Sequence, residues 1–193
     1  MFDLVLIIKT AGYLGLFGII FAESGLFFGF FLPGDGVVFT AGFLASQGYL
    51  NIWLLLIVLF AAAVLGDNVG YWFGEKVGPM IFKKEDSRFF KKEYVERAHN
   101  FFEKYGGKSL ILARFVPVVR TFTPIIAGVG KMNYRKFLFF NFLGGLLWAV
   151  GLTLVGYFLG QTIPNADSYI LPIVVLIMVV SVLPGLTHLL KKK

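Results

Sequence analysis

Six apolar stretches, at about residues 4–32, 36–47, 50–74, 109–130, 137–160 and 169–190, constrain this chain more than any other feature. A helix that crosses the hydrocarbon core of a bilayer needs about 20 residues. By that measure residues 50–74, 137–160 and 169–190 are predicted to be comfortable spans. The stretches at 36–47 and 109–130 are too short, or too broken by proline and charge, and are predicted to be re-entrant hairpins. Residues 4–32 can form either a full span or the long first arm of a hairpin, and the internal repeat described below favours the hairpin. With 58% hydrophobic and 15% charged residues, the chain cannot form a water-soluble globule. The N-terminal MFDLVLIIKT has no basic region before its apolar run and no small-residue cleavage site after it, and is read as mature sequence.

The absence of cysteine removes disulfides, thiolate chemistry and Cys-zinc sites together. The two histidines, His99 and His188, lie outside the hairpins, so no nucleophile–histidine pair, metal site or cofactor is expected and the chain does not read as an enzyme. The formal net charge of +7 sits mainly in loops and the C-terminus, which points to anionic lipid headgroups and not to nucleic acid.

Residues 83–108 are the one soluble-looking segment. Within it Tyr94, Ala98, Phe101, Phe102 and Tyr105 recur at helical spacing, which predicts an interfacial amphipathic helix ending at Gly106 and Gly107. Positive charge at 83–108, at Lys131, Arg135 and Lys136, and at Lys191 to Lys193 falls on one side of the membrane if 109–130 is re-entrant, and that side is predicted to be the cytoplasm.

The chain also repeats itself. Phe31 to Pro33 matches Phe115 to Pro117, Ala41-Gly42 matches Ala127-Gly128, and VGYWFG from Val69 matches VGYFLG from Val155, in the same order and at nearly constant spacing. Each copy reads as a re-entrant hairpin followed by one span, so the two copies take opposite orientations, as in many transporters. The expected fold is thus an all-α polytopic membrane protein. Repeat 1 covers about 12–78, the amphipathic connector about 83–108, repeat 2 about 109–163 and an extra C-terminal transmembrane helix about 168–190, in a single membrane domain of residues 1–193.

Five ionisable residues lie inside the apolar stretches: Glu23, Asp35, Asp67, Arg114 and Arg120. Each charge at bilayer depth costs roughly 3 kcal/mol on insertion scales. One reading is that they neutralise each other and fix the packing of the hairpins, with Asp35 and Arg120 at quasi-equivalent repeat positions. The other gives them work. Arg114 and Arg120 flank Pro117, where a broken helix frees backbone N–H groups, and a guanidinium fork binds two phosphate oxygens in one plane. Carboxylates at depth can take up and release a proton, so Glu23, with apolar neighbours on both sides, and Asp35, near Arg120, are candidates for proton coupling. Asp67 reads either as a hydrogen-bond acceptor at the end of a span or as a participant in transport. Gly144 and Gly145 beside Trp148 read as helix packing, and Pro172 and Pro184 as tolerated kinks.

Glu23, FLPGD, the block Gly66-Asp67-Asn68-Val69-Gly70-Tyr71 and ARFVPVVRTFTPIIAG together resemble the DedA family, whose conserved region is also called the VTT or SNARE-associated domain. The resemblance runs from about Gly12 to Gly160. It implies two facing re-entrant hairpins and, for bacterial members, return of undecaprenyl phosphate across the cytoplasmic membrane; eukaryotic relatives scramble phospholipids. Carried over by motif, the required acids are Glu23 and Asp35 and the required bases Arg114 and Arg120, with Asp67, Pro33, Gly34, Pro117, Thr121 and Pro124 in support. Where the family often has Gly-Arg after the Asp67 block, this chain has Gly74-Glu75-Lys76, so a basic role there shifts to Lys76. The partners expected are phosphate-bearing membrane lipids and protons or another cation, with a homo-oligomer compatible. A structural or ion-conducting protein, whose buried charges only pair, is the competing class.

Overall fold

The computed structural model describes residues 4–26, 33–81 and 100–162, and every regular element among them is helical. Helix α1 (Leu4–Gly25) breaks at Gly12, which adopts φ 58°, ψ −158°. A side chain would resist that geometry, and glycine takes it at little cost. Helices α2 (Gly34–Ser46) and α3 (Ile52–Ile81) follow. After a short helical run at 100–105 come α4 (Lys108–Ala113), α5 (Pro117–Val129), α6 (Tyr134–Gly145), a π-helical turn (Leu146–Val150) and α7 (Gly151–Thr162).

Two helical stretches are long and apolar enough to cross a membrane, Ile52–Val77 with 26 residues and Tyr134–Thr162 with 29. The second is α6, the π-turn and α7 running on as one rod. Asn133 starts it, its side chain accepting from the backbone N–H of Arg135 at 3.0 Å and of Lys136 at 3.3 Å. These are two of the three expected spans; the third, 169–190, lies outside the described residues, as do most of the 83–108 connector, His99 and His188. Helices α2 and α5 have 13 residues each. At about 1.5 Å per residue each is about 20 Å long, short of the roughly 30 Å hydrocarbon core.

The packing exchanges partners between the two halves. Helix α2 lies along α7, and α5 lies along α3, while α1 covers another side of α3. Glycines let these backbones touch: a Cβ at Gly42 of α2 would stand 2.1 Å from the Thr153 carbonyl oxygen of α7, and one at Gly128 of α5 would stand 2.1 Å from that of Tyr71 in α3. One apolar core gathers Leu16 and Ile20 of α1, Val38 and Leu44 of α2, Leu55 and Leu59 of α3, and Trp148. A second joins Tyr71, Phe102, Leu110, Ala127, Met132 and Phe137. There the Tyr71 hydroxyl donates to the Met132 carbonyl and its ring stacks on Phe137 at 4.4 Å. Phe102 thus points inward, while Phe101 and Tyr105 stay exposed, and the helical run ends at Gly106 with φ 62°, where the sequence pattern stops it.

The outer surface of α3 is as apolar as its core. Trp53, Ile57, Leu65, Val69 and Trp72 form an exposed stripe at helical spacing. A helix apolar on all sides suits a bilayer and not water.

Candidate functional site

The ionisable residues of the apolar stretches converge on two neighbouring clusters. Arg120 enters in the first turn of α5, where a cation opposes the positive end of the helix dipole, so it needs strong acidic partners. It has two. Its Nη1 donates to Asp35 Oδ1 at 2.5 Å and its Nη2 to Glu23 Oε1. Asp35 sits in the first turn of α2, the end that favours an anion, and Glu23 lies near the end of α1. Glu23 is pressed against Gly34: a Cβ on that glycine would overlap the Glu23 carboxylate. Pro33 immediately precedes α2 and Pro117 opens α5.

Trp148 completes this cluster from the π-turn. Its indole Nε1 donates to Asp35 Oδ1 at 2.8 Å, and its ring lies over the Arg120 guanidinium at 4.4 Å. Thr121 is buried next to Arg120, and Pro124 packs against Gly70 of α3.

The second cluster is built on Arg114, between α4 and α5. Its Nη2 donates to Asp67 Oδ2 on α3 and to Asn141 Oδ1 on α6. Asn141 in turn donates to the Val64 carbonyl at 3.1 Å, and Asn68 donates to the same carbonyl at 2.7 Å while accepting from the Tyr134 hydroxyl at 2.9 Å. Arg120 is close enough to Asp67 and Arg114 to interact with both electrostatically.

Several expectations change on this geometry. Glu23 is not left among apolar neighbours: it shares Arg120 with Asp35. Asp67 is not at the end of a span, because α3 continues to Ile81 and places it in the middle of Ile52–Val77. Gly144 does more than pack helices. A Cβ there would stand 2.8 Å from Arg114 Cδ and Nε, so its absence makes room for that side chain, whereas Gly145 packs against Val64 and Phe60 as expected. Lys76 is exposed and stands apart from both clusters.

Sequence reasoning missed Asn141 and gave Trp148 no role in the site. The signal for Asn141 was there: a lone amide inside YRKFLFFNFLGG must find partners when buried. Trp148 carried a weaker one, since a buried indole N–H also needs an acceptor.

Beside the clusters lies a cavity of about 380 Å³. Asp35, Arg114 and Trp148 line it with Leu147, Leu152 and Val155. Arg114 and Trp148 are buried, whereas Leu147 and Val155 are half exposed, so the cavity joins the charged interior to the apolar outer surface. Such a site can hold an anion against arginine while an apolar chain follows the wall.

The VTT domain family matches residues 32–158. The chain is 44% identical to the protein DedA of Escherichia coli over 94% of its own length and 83% of that protein's. It is 49% identical to an uncharacterized membrane protein of Mycobacterium leprae over 87% of this chain and 75% of the relative. The inner membrane protein YqjA of Escherichia coli shares 39% identity over 78% of this chain and 68% of its own. No solved structure matches the chain. With the VTT domain spanning most of the described helices and relatives this similar along nearly the whole length, the chain belongs to the DedA family of membrane proteins.

Proposed function

We infer that this protein is a lipid transporter of the cytoplasmic membrane that moves a polyprenyl phosphate, undecaprenyl phosphate in bacteria, between leaflets, and that it is not an enzyme. One observation carries the reading: a buried arginine, Arg114, lines a cavity whose other walls open among apolar, outward-facing side chains. A lipid phosphate meets both requirements at once, with its anion on the guanidinium and its chain along the wall. Arg120 stands in the neighbouring cluster, held by Glu23 and Asp35. A phosphate that competes for Arg120 releases a carboxylate, which can then take up a proton; substrate and proton binding are coupled in that way.

The architecture we propose for this activity is two re-entrant hairpins, carrying α2 and α5, that enter from opposite faces as an inverted repeat. The shortness of both helices supports it, and so does the exchange of partners by which Gly42 meets α7 and Gly128 meets α3. In this topology the 83–108 connector, the α5–α6 loop and the C-terminus are cytoplasmic, and the loop at 47–51, which carries no lysine or arginine, is outside. A single-cysteine scan reads it directly in this cysteine-free chain: Tyr49→Cys reacts with an impermeant maleimide from outside and Arg135→Cys from the cytoplasm. Labelling of both from one side overturns the inverted repeat.

The pairing of all five ions supports a second reading, in which the charges only hold the helices together. Reconstitution separates the two. Proteoliposomes containing a fluorescent polyprenyl phosphate are assayed for movement between leaflets, beside a fluorescent phosphatidylglycerol. Movement of the polyprenyl phosphate alone supports the transporter, movement of both makes it a scramblase, and movement of neither leaves the ions as packing elements.

A further inference from the structure

We propose that the cavity between the Arg114–Phe115 turn and the π-turn is the lateral port through which a single-chain phosphate lipid reaches the arginines, and that Gly151 keeps it open. The phosphate-lipid class of ligand rests on the proposed function; the location and the role of Gly151 come from the structure alone. At the buried side Asp35, Arg114 and Trp148 present charge and hydrogen-bonding groups. At the other, Phe115, Leu147 and Val155 are 58%, 54% and 50% exposed and form an apolar mouth. Its volume of about 380 Å³ is near the small end of ligand pockets, which run to about 300–1,000 Å³. It therefore takes a headgroup and the first carbons of one chain, with the remainder left in the bilayer.

Gly151 lines this cavity and differs from the packing glycines. A Cβ at Gly42, Gly74, Gly128 or Gly156 would collide with backbone of a neighbouring helix, whereas one at Gly151 meets nothing within 4 Å among the described residues. Among the described helices no contact requires a glycine there, yet a helix interior with glycine gives up about 1 kcal/mol relative to alanine. What the missing side chain leaves is empty volume in the port. The position is set by the π-turn, which inserts extra backbone just before α7 and so directs Trp148 toward Asp35 while Leu147 and Gly151 face the cavity.

The test uses the full chain in phosphatidylcholine vesicles doped with radiolabelled polyprenyl phosphate, with a benzophenone amino acid replacing Val155 at the mouth or, as a lipid-facing control, Ile57 on α3. Photolysis should label the Val155 position about tenfold more than the Ile57 position. Excess unlabelled polyprenyl phosphate should suppress it, and polyprenyl alcohol or inorganic phosphate should not. Gly151→Phe in the Val155 background should cut labelling about tenfold, and Gly151→Ala, which adds a single methyl to the port, should cut it by less. Gly151→Leu serves the same purpose if the Phe variant does not fold. Equal labelling at both positions, persistence in folded Gly151→Phe or Gly151→Leu protein, or displacement by inorganic phosphate overturns the port. Transport keeps the two readings apart: a wild type that labels at Val155 but moves no lipid refutes the transporter and retains the port, and a Gly151→Phe protein that transports at the wild-type rate refutes the port and retains the transporter.

Discussion

Trp148→Phe removes one N–H while leaving an aromatic ring over Arg120, and so isolates the hydrogen bond that ties the π-turn to α2. That bond spans 2.8 Å from the indole to Asp35 Oδ1, and a hydrogen bond to a charged group contributes about 1.5–3 kcal/mol net. The substitution also shrinks a side chain that is only 4% exposed, which adds a packing loss of its own. A double-mutant cycle with Asp35→Ala separates the two, because the packing loss is common to both backgrounds and cancels. Stability is read from reversible unfolding in mixed detergent micelles titrated with dodecyl sulfate. Trp148→Phe should cost about 1.5–3 kcal/mol more in the wild-type background than in Asp35→Ala. If the costs agree to within about 0.5 kcal/mol, Trp148 and Asp35 are not coupled and the assignment of Trp148 to the charged cluster is wrong.

Four further outcomes follow from the same contacts. Arg114→Lys and Arg120→Lys should insert normally but lose about tenfold or more in liposome transport, because lysine keeps charge without the planar fork; wild-type rates in both would reduce the arginines to generic cations. Asp67→Ala leaves Arg114 buried without its carboxylate and should cost about 3–5 kcal/mol, whereas Asp67→Leu with Arg114→Met should recover most of that stability while abolishing transport; no recovery in the double variant would show that the pair is not what makes Asp67→Ala costly. Gly42→Leu should force α2 off α7 at a cost of about 3 kcal/mol or more, the upper end of overpacking, while Gly18→Leu, with nothing within 4 Å among the described residues, should leave the unfolding midpoint unchanged. Glu23→Gln should bind polyprenyl phosphate but flatten the pH dependence of its transport, and an unaltered pH profile in both Glu23→Gln and Asp35→Asn would remove proton coupling from the mechanism.

Much of the membrane character was legible because it depends on local sequence. The spans follow from run length, and the end of the helical run before α4 from Gly106 at positive φ. Arg114, Arg120, Glu23, Asp35 and Asp67 were visible as candidates because a charge inside an apolar run has no cheap explanation. Their partners were not visible in the same way. Only Asp35 with Arg120 could be paired in advance, from the repeat offset; that Glu23 joins them from α1, and that Asp67 belongs to Arg114, depends on how α1, α2, α3 and α5 cross.

Composition and periodicity by themselves determined that this is a membrane protein and that its ions must find one another there. The free energy of removing apolar surface and unpaired charge from water or lipid is a property of residue type and run length, so one-dimensional information suffices for it. Which ion pairs with which, why Trp148 and Asn141 join them, and why Gly151 and Arg114 line one cavity were decided only by the tertiary structure. Hydrogen bonds and close contacts act over a few ångströms between residues as far apart in sequence as Asp35 and Trp148, and helix faces are brought to that range by packing alone.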